Sequence, residues 1–162
     1  MRYCTIKNEL TGARMNSFIR TAEEFIDTKG AKEVIRRFGS GSGDIGAVWE
    51  LEAAKILKTQ GKNVVEFGEK LPFSVEGDIV VLSSKGEKII YEAKGWKWDS
   101  VTEPFIKSGD WKKTLLDQSK KMADLASSGG IKEYKFVFRT APSDPKILKE
   151  LSDLNIPWEV IQ

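Results

Sequence analysis

The fold is decided by two neighbouring stretches, Gly77-Asp78-Ile79-Val80-Val81-Leu82 and Ile89-Ile90-Tyr91-Glu92-Ala93-Lys94. Both are rich in β-branched residues, which favours two strands. Between them, Ser84-Lys85-Gly86 predicts a three-residue hairpin loop, because the last loop position needs a left-handed backbone that glycine adopts readily. We therefore expect a β-hairpin at the centre of the chain.

The length of this loop sets which side chains meet across the hairpin. Pairing Ser83 with Glu87 places Asp78 opposite Glu92, and Lys94 shares their face because it lies two residues after Glu92. A loop one residue longer or shorter would turn Asp78 away from Glu92. The opposite face is then apolar and consists of Ile79, Val81, Ile89 and Tyr91.

Two carboxylates that face each other repel unless a cation lies between them. The chain has no histidine and a single cysteine, which excludes His-based catalysis, an internal disulfide and Cys/His zinc sites. Oxygen ligands favour Mg²⁺ or Mn²⁺, or Ca²⁺, over Zn²⁺. We expect Asp78, Glu92 and the carbonyl of Ala93 to bind Mg²⁺ or Mn²⁺. Lys94 would assist hydrolysis of a phosphodiester by a metal-activated water.

Two helices offer supporting residues. Glu50 borders the apolar stripe of the helix that precedes the strands, so it is the carboxylate expected to face inward. Gln118 is the one polar member of an otherwise apolar stripe on a later helix, and it needs a partner such as the metal site or a substrate phosphate. Glu50 as a surface charge and Gln118 as a satisfied core amide remain open alternatives.

The overall composition predicts a globular chain with an amino-terminal extension. It has 162 residues, a net charge of +2, 40% hydrophobic and 31% charged residues. We expect a helical appendage over 1–38, a Gly/Ser hinge over 39–43 and a main domain over 44–162. A membrane span and a secretory signal are not expected, because no long apolar run is present.

Hydrophobic periodicity predicts the element order α-β-β-β-α-β-α-β for the main domain. A helix begins at the cap Asp44, and a short strand over 62–67 precedes a proline-containing connection. The central hairpin, a helix over 110–126, a strand over 133–140, a helix opened by Ser143 or Asp144 and a final strand over 156–161 follow. This is an α/β (α+β) fold with a mixed sheet flanked by helices.

Asp78, Glu92-Ala93-Lys94, the helix bearing Glu50 and this element order resemble the PD-(D/E)XK, or restriction-endonuclease-like, nuclease superfamily. The resemblance covers roughly residues 44–140, with Gly77 where the motif has proline. It implies a metal site at Asp78 and Glu92 that Glu50 often completes. It also implies that Lys94 assists the attacking water and that Gln118 lines the site.

A narrower resemblance concerns the carboxy-terminal toxin nucleases of bacterial polymorphic and contact-dependent inhibition systems. It rests on the helical lead-in and glycine-rich hinge, on Phe136-Val-Phe-Arg139, and on Ile156-Pro157-Trp158 after a helix. It implies an endonuclease that cleaves DNA or tRNA in the cytoplasm after delivery by a larger protein. A cognate immunity protein would neutralise it.

A basic and aromatic stretch is the candidate nucleic-acid surface. Residues 85–121 hold nine lysines and six acidic residues, and rings beside cations can stack on bases and neutralise phosphates. The candidate contacts are Trp96, Lys97, Trp98, Lys107, Lys112, Lys113, Lys120 and Lys121. Core packing of Trp96 or Trp98, and solvated lysines, are the alternatives.

Three functions therefore remain open on the sequence: a toxin endonuclease, a DNA-repair or junction-resolving nuclease of the same fold, and a non-catalytic binding module. The choice between DNA and RNA and the oligomeric state are left open as well.

Overall fold

A computed structural model describes residues 12–39, 45–96, 98 and 104–162. Within those ranges the chain forms six helices and five strands. They are α1 (Gly12–Phe25), α2 (Ala31–Gly39), α3 (Ile45–Thr59), β1 (Asn63–Leu71), β2 (Val75–Leu82), β3 (Lys88–Lys94), α4 (Pro104–Ser108), α5 (Asp110–Ser127), β4 (Glu133–Phe138), α6 (Pro145–Asp153) and β5 (Trp158–Val160). The predicted mixed α/β fold is confirmed. Among these helices none is long and apolar enough to cross a lipid bilayer.

The five strands form one mixed sheet in the order β1-β2-β3-β4-β5. Strands β1, β2 and β3 pair antiparallel, whereas β3–β4 and β4–β5 pair parallel. Parallel neighbours cannot be joined by a tight turn. Helix α5 accordingly follows β3 in the chain and leads back to β4, and α6 connects β4 to β5.

The central hairpin divides the core between the two faces of the sheet. Ile79, Val81 and Tyr91 pack in one cluster with helices α1, α2 and α3. Val80 and Ile90 pack in another cluster with side chains of α5. This alternation confirms the predicted apolar face of the hairpin, and it leaves Glu92, two residues after Ile90, on the same face as α5.

The amino-terminal helices pack against the rest of the chain and share its core. Phe18, Phe25 and Val34 are buried in the same cluster as Leu51 and Leu57 of α3. A bidentate ion pair between Arg14 and Glu52, with N···O distances of 2.6 and 3.0 Å, adds to this contact. The predicted extension over 1–38 is thus a helical layer on the sheet for the part that is described. Residues 40–43 of the predicted hinge and the cap Asp44 lie outside the described residues.

The first strand differs from its prediction. It continues past Phe67 to Leu71 and forms a tight hairpin with β2, which begins at Val75. The prediction ended the strand at residue 67, before a proline-containing connection, but Gly68 lies inside β1 and Pro72 begins the turn. The helix predicted to open near Asp144 is confirmed, since Asp144 Oδ1 accepts a hydrogen bond of 2.9 Å from the Lys146 N–H.

Candidate active site

The predicted register of the central hairpin is confirmed. Val80 pairs with Ile90 and Ile79 pairs with Tyr91, and the Ser83 N–H donates to the Glu87 carbonyl at 2.8 Å. Gly86 ends the loop with φ of 77°, the left-handed conformation that the loop requires. Continuing this register by one residue sets Asp78 across from Glu92.

Strands β2 and β3 separate at this point. Their pairing ends at Ile79 and Tyr91, while β2 continues beside β1 through Gly77 and Val75. The side chains of the two acidic residues occupy the fork between the strands. The Asp78 N–H donates to Glu92 Oε1 at 3.3 Å, and the Ala93 N–H donates to Asp78 Oδ2 at 3.0 Å. Each carboxylate is therefore oriented by the backbone of the opposite strand.

The environment of this acid pair disfavours two negative charges. Glu92 is only 3% exposed. Its burial raises the pKa of Glu92 well above the ordinary 4.5, and repulsion from the Asp78 carboxylate raises it further. Burial also raises the pKa of Asp78, although the Lys94 ammonium and the Ala93 N–H act to lower it. Such a pair favours either a shared proton or a bound cation.

A cavity of about 220 Å³ opens beside the acid pair. Asp78, Glu92 and Lys94 line it from the strands, and Gln118 and Lys121 line it from α5. The buried Gln118 Oε1 has no hydrogen-bond partner among the described residues. An unpartnered amide oxygen and two carboxylates thus place three acceptor groups in the cavity, beside the ammonium groups of Lys94 and Lys121.

The oxygen atoms that line the cavity suit a hard divalent cation as ligands. Carboxylate and amide oxygens are the ligands that Mg²⁺ and Mn²⁺ accept. In an extended strand the N–H and C=O of one residue point to the same side, so the carbonyl of Ala93 faces the same fork as its N–H. In the described ranges no group of three or more Asp, Glu, Cys or His side chains lies close enough to hold a metal ion. Asp78 and Glu92 would therefore be the two carboxylate ligands.

The third predicted carboxylate, Glu50, is buried and bound by an arginine. It is 7% exposed on α3, and its Oε1 accepts a hydrogen bond of 2.6 Å from the Arg37 guanidinium on α2. Glu50 is not among the residues that line the cavity, and its part in completing the metal site stays a prediction. Arg37 acts to lower the pKa of Asp78 through its charge, which places it in the electrostatic range of the acid pair.

The two tryptophans after Lys94 differ in role. Trp98 is 3% exposed and packs edge-on against Trp111 and Phe138. The structure therefore corrects its prediction as a nucleic-acid contact, because its ring lies in the core. Trp96 is half-buried, and the Lys94 Nζ lies 5.8 Å from its ring centroid. A cation–π contact of this kind restrains the ammonium beside the cavity.

The lysines predicted to contact nucleic acid fall into two groups. Lys121 is exposed and lines the cavity, and Lys113 and Lys120 are exposed on the same helix. Lys112 instead forms an ion pair of 3.0 Å with Glu150. It lines, together with Lys107, a separate groove of about 610 Å³ between α5 and α6. Lys97 lies outside the described residues.

Sequence reasoning missed three residues near the site, namely Arg37, Ser74 and Glu76. Ser74 in the turn and Glu76 in β2 line the cavity, in a stretch that the sequence predicts as a connection. The basic pair Arg36-Arg37 before the glycine-rich segment was the available signal for Arg37.

No protein-family model and no curated protein matched this chain. The chemistry of the cavity is therefore the basis for assigning a function.

Proposed function

We propose that this protein is a metal-dependent endonuclease that hydrolyses phosphodiester bonds of DNA or tRNA. The observation that carries the proposal is the pair of buried, mutually repelling carboxylates of Asp78 and Glu92 at the strand fork, with Lys94 beside them. The element order from α3 through β4 and this acid-acid-lysine set support membership of the PD-(D/E)XK superfamily.

Asp78 and Glu92 would hold Mg²⁺ or Mn²⁺, with the carbonyl of Ala93 as a third oxygen. A divalent cation in such a site lowers the pKa of water and stabilises charge on a phosphate oxygen. The acidic side chains are already oriented by the N–H groups of the opposing strands. Little rearrangement is therefore needed for both to face one ion.

Lys94 would neutralise charge that develops on the scissile phosphate. Its ammonium borders the same cavity as the acid pair and is restrained by the ring of Trp96. A fixed positive charge in a partly buried site stabilises a developing anion more than a solvated charge does. Gln118, with its oxygen unpartnered and its amide N–H groups able to donate, would orient water or phosphate.

The biological setting that we propose is a bacterial toxin effector domain acting in the cytoplasm and neutralised by an immunity protein. The support is the sequence resemblance of the helical lead-in and the carboxy-terminal elements to such toxins. Cytoplasmic expression of the wild-type chain should then arrest growth, whereas Asp78→Ala should not. A repair or junction-resolving nuclease would cleave in vitro without arresting growth.

Cleavage assays test the enzymatic proposal directly. Plasmid DNA and total tRNA are incubated with Mg²⁺ and wild-type protein, Asp78→Ala, Lys94→Ala or the control Lys85→Ala. Lys85 lies in the exposed loop of the same hairpin. We expect wild type and Lys85→Ala to cleave at least one polymer, and both site variants to lose at least about a hundredfold in rate. Equal cleavage by all four proteins, or none by the wild type, would overturn the proposal.

A further inference from the structure

The turn between β1 and β2 has an unusual composition for its backbone. The Val75 N–H donates to the Pro72 carbonyl at 3.4 Å, and the two central residues, Phe73 and Ser74, have φ of 62° and 57°. Turns with two positive φ angles strongly favour asparagine and glycine. A phenylalanine at such a position is strained, because its Cβ lies too close to the carbonyl oxygen.

Packing does not account for this strained phenylalanine. Phe73 is 53% exposed, the highest value among the large apolar residues in the described ranges. The other exposed large apolar residues there, Ile19, Ile26, Leu116 and Leu148, have ordinary negative φ angles. A bulky side chain that is both strained and exposed contributes little to folding, which directs attention to a binding role.

The position of the turn indicates what Phe73 would bind. The next three residues, Ser74, Val75 and Glu76, line the cavity that contains the acid pair. Lys94 and Lys121 line the same cavity and supply positive charge for a phosphate backbone. An exposed aromatic ring next to such a cavity suits a nucleotide base, since every base offers a face for stacking.

We infer that Phe73 stacks on an unpaired base of the nucleic acid whose backbone enters the Asp78–Glu92 cavity. The inference rests on the proposed function and adds to it that the substrate is single-stranded or has an unpaired base at the cleavage site. Bases in an intact duplex stack offer no free face to a ring unless the stack is opened at an energetic cost. Loops and ends of nucleic acids are therefore the preferred substrates.

Binding measurements test the role of Phe73 separately from cleavage. Fluorescence anisotropy of a labelled single-stranded oligonucleotide, with chelator present, gives the Kd of wild type, Phe73→Gly, Phe73→Leu and Phe73→Tyr. We expect Phe73→Gly and Phe73→Leu to raise the Kd about tenfold and Phe73→Tyr to change it less than about twofold. The thermal midpoint of Phe73→Gly should equal or exceed that of wild type, because glycine removes the strain.

The control is Ile19→Ala, an exposed apolar residue on α1, across the sheet from α5. It should leave the Kd unchanged. Binding by Phe73→Leu as tight as by Phe73→Tyr would show that no aromatic ring is needed and would overturn the inference, as would equal Kd values for all variants or no binding by wild type. If wild type cleaves with metal but the Phe73 variants bind the oligonucleotide as tightly as wild type, only the stacking is contradicted. Phe73-dependent binding without cleavage would contradict only the proposed function.

Discussion

The Arg37 guanidinium lies 2.6 Å from the Glu50 carboxylate and joins helix α2 to helix α3. The Glu50 side chain is 9% exposed and that of Arg37 is 28% exposed, so water screens this pair less than a surface ion pair. The charge of Arg37 also acts to lower the pKa of Asp78. The amino-terminal helices thus bring a positive charge close to the acid pair.

Arg37→Ala should destabilise the protein by about 2–3 kcal/mol, because it leaves the Glu50 carboxylate buried without this counter-charge. Urea unfolding at neutral pH measures the effect. The neighbouring Arg36 is a matched control, since its ion pair with Glu33 is exposed. Arg36→Ala should change the free energy of unfolding by less than about 0.5 kcal/mol. Equal losses in both variants would show that the Arg37–Glu50 pair contributes no more than a surface pair.

Glu92→Gln should stabilise the metal-free protein at neutral and alkaline pH by about 1–2 kcal/mol. The pKa of Glu92 is raised in the folded state, so the folded state binds more protons than the unfolded state above pH 4.5. Stability therefore falls as the pH rises through the folded pKa. Glutamine removes the charge, and its oxygen can still accept from the Asp78 N–H.

Urea unfolding in chelator across the pH range checks this sign. The two proteins should have similar stability near pH 4 and diverge as the pH rises. Glu87→Gln, an exposed acid on the same hairpin, should follow wild type throughout. A wild type that gains stability relative to Glu92→Gln with rising pH would contradict the raised pKa.

Added Mn²⁺ should reverse the order of stability of wild type and Glu92→Gln. A cation that binds the folded state, and whose concentration is a hundred times its Kd, raises the free energy of unfolding of wild type by about 2.7 kcal/mol. Glu92→Gln and Asp78→Asn each remove a charged ligand, so both should lose most of this gain. The measurement is the unfolding midpoint with Mn²⁺ against chelator. An equal shift in wild type and both variants would place the ion elsewhere.

The hairpin register could be predicted because three local signals agreed. The loop ended in glycine, the strands were β-branched, and the apolar residues alternated with period two. Those signals are contained in one contiguous segment. The positions of Asp78, Glu92 and Lys94 on one face followed from them without any long-range information.

The rest of the site depends on contacts that sequence pattern does not encode. Pro72 predicted a connection between strands, and phenylalanine rarely occupies a left-handed turn, so the tight hairpin at Phe73 has no sequence signal. Arg37 and Glu50 meet only when two separate helices pack. The sequence leaves open whether Trp98 is exposed or buried, and its contacts with Trp111 and Phe138 decide that it is buried. Tertiary packing decides each of these positions.

Gly30→Ala should destabilise the protein by about 3 kcal/mol or more. Gly30 follows Lys29, whose carbonyl accepts from the Phe67 N–H at 2.8 Å, and a Cβ on Gly30 would lie 1.9 Å from the Phe67 carbonyl oxygen. Gly129 has the same φ of 82° with nothing within 4 Å, so Gly129→Ala should cost only about 1–2 kcal/mol of backbone strain. The difference in urea unfolding between the two variants isolates the clash with β1. Equal losses would mean that helix α2 and strand β1 can move apart without cost, which contradicts their shared core.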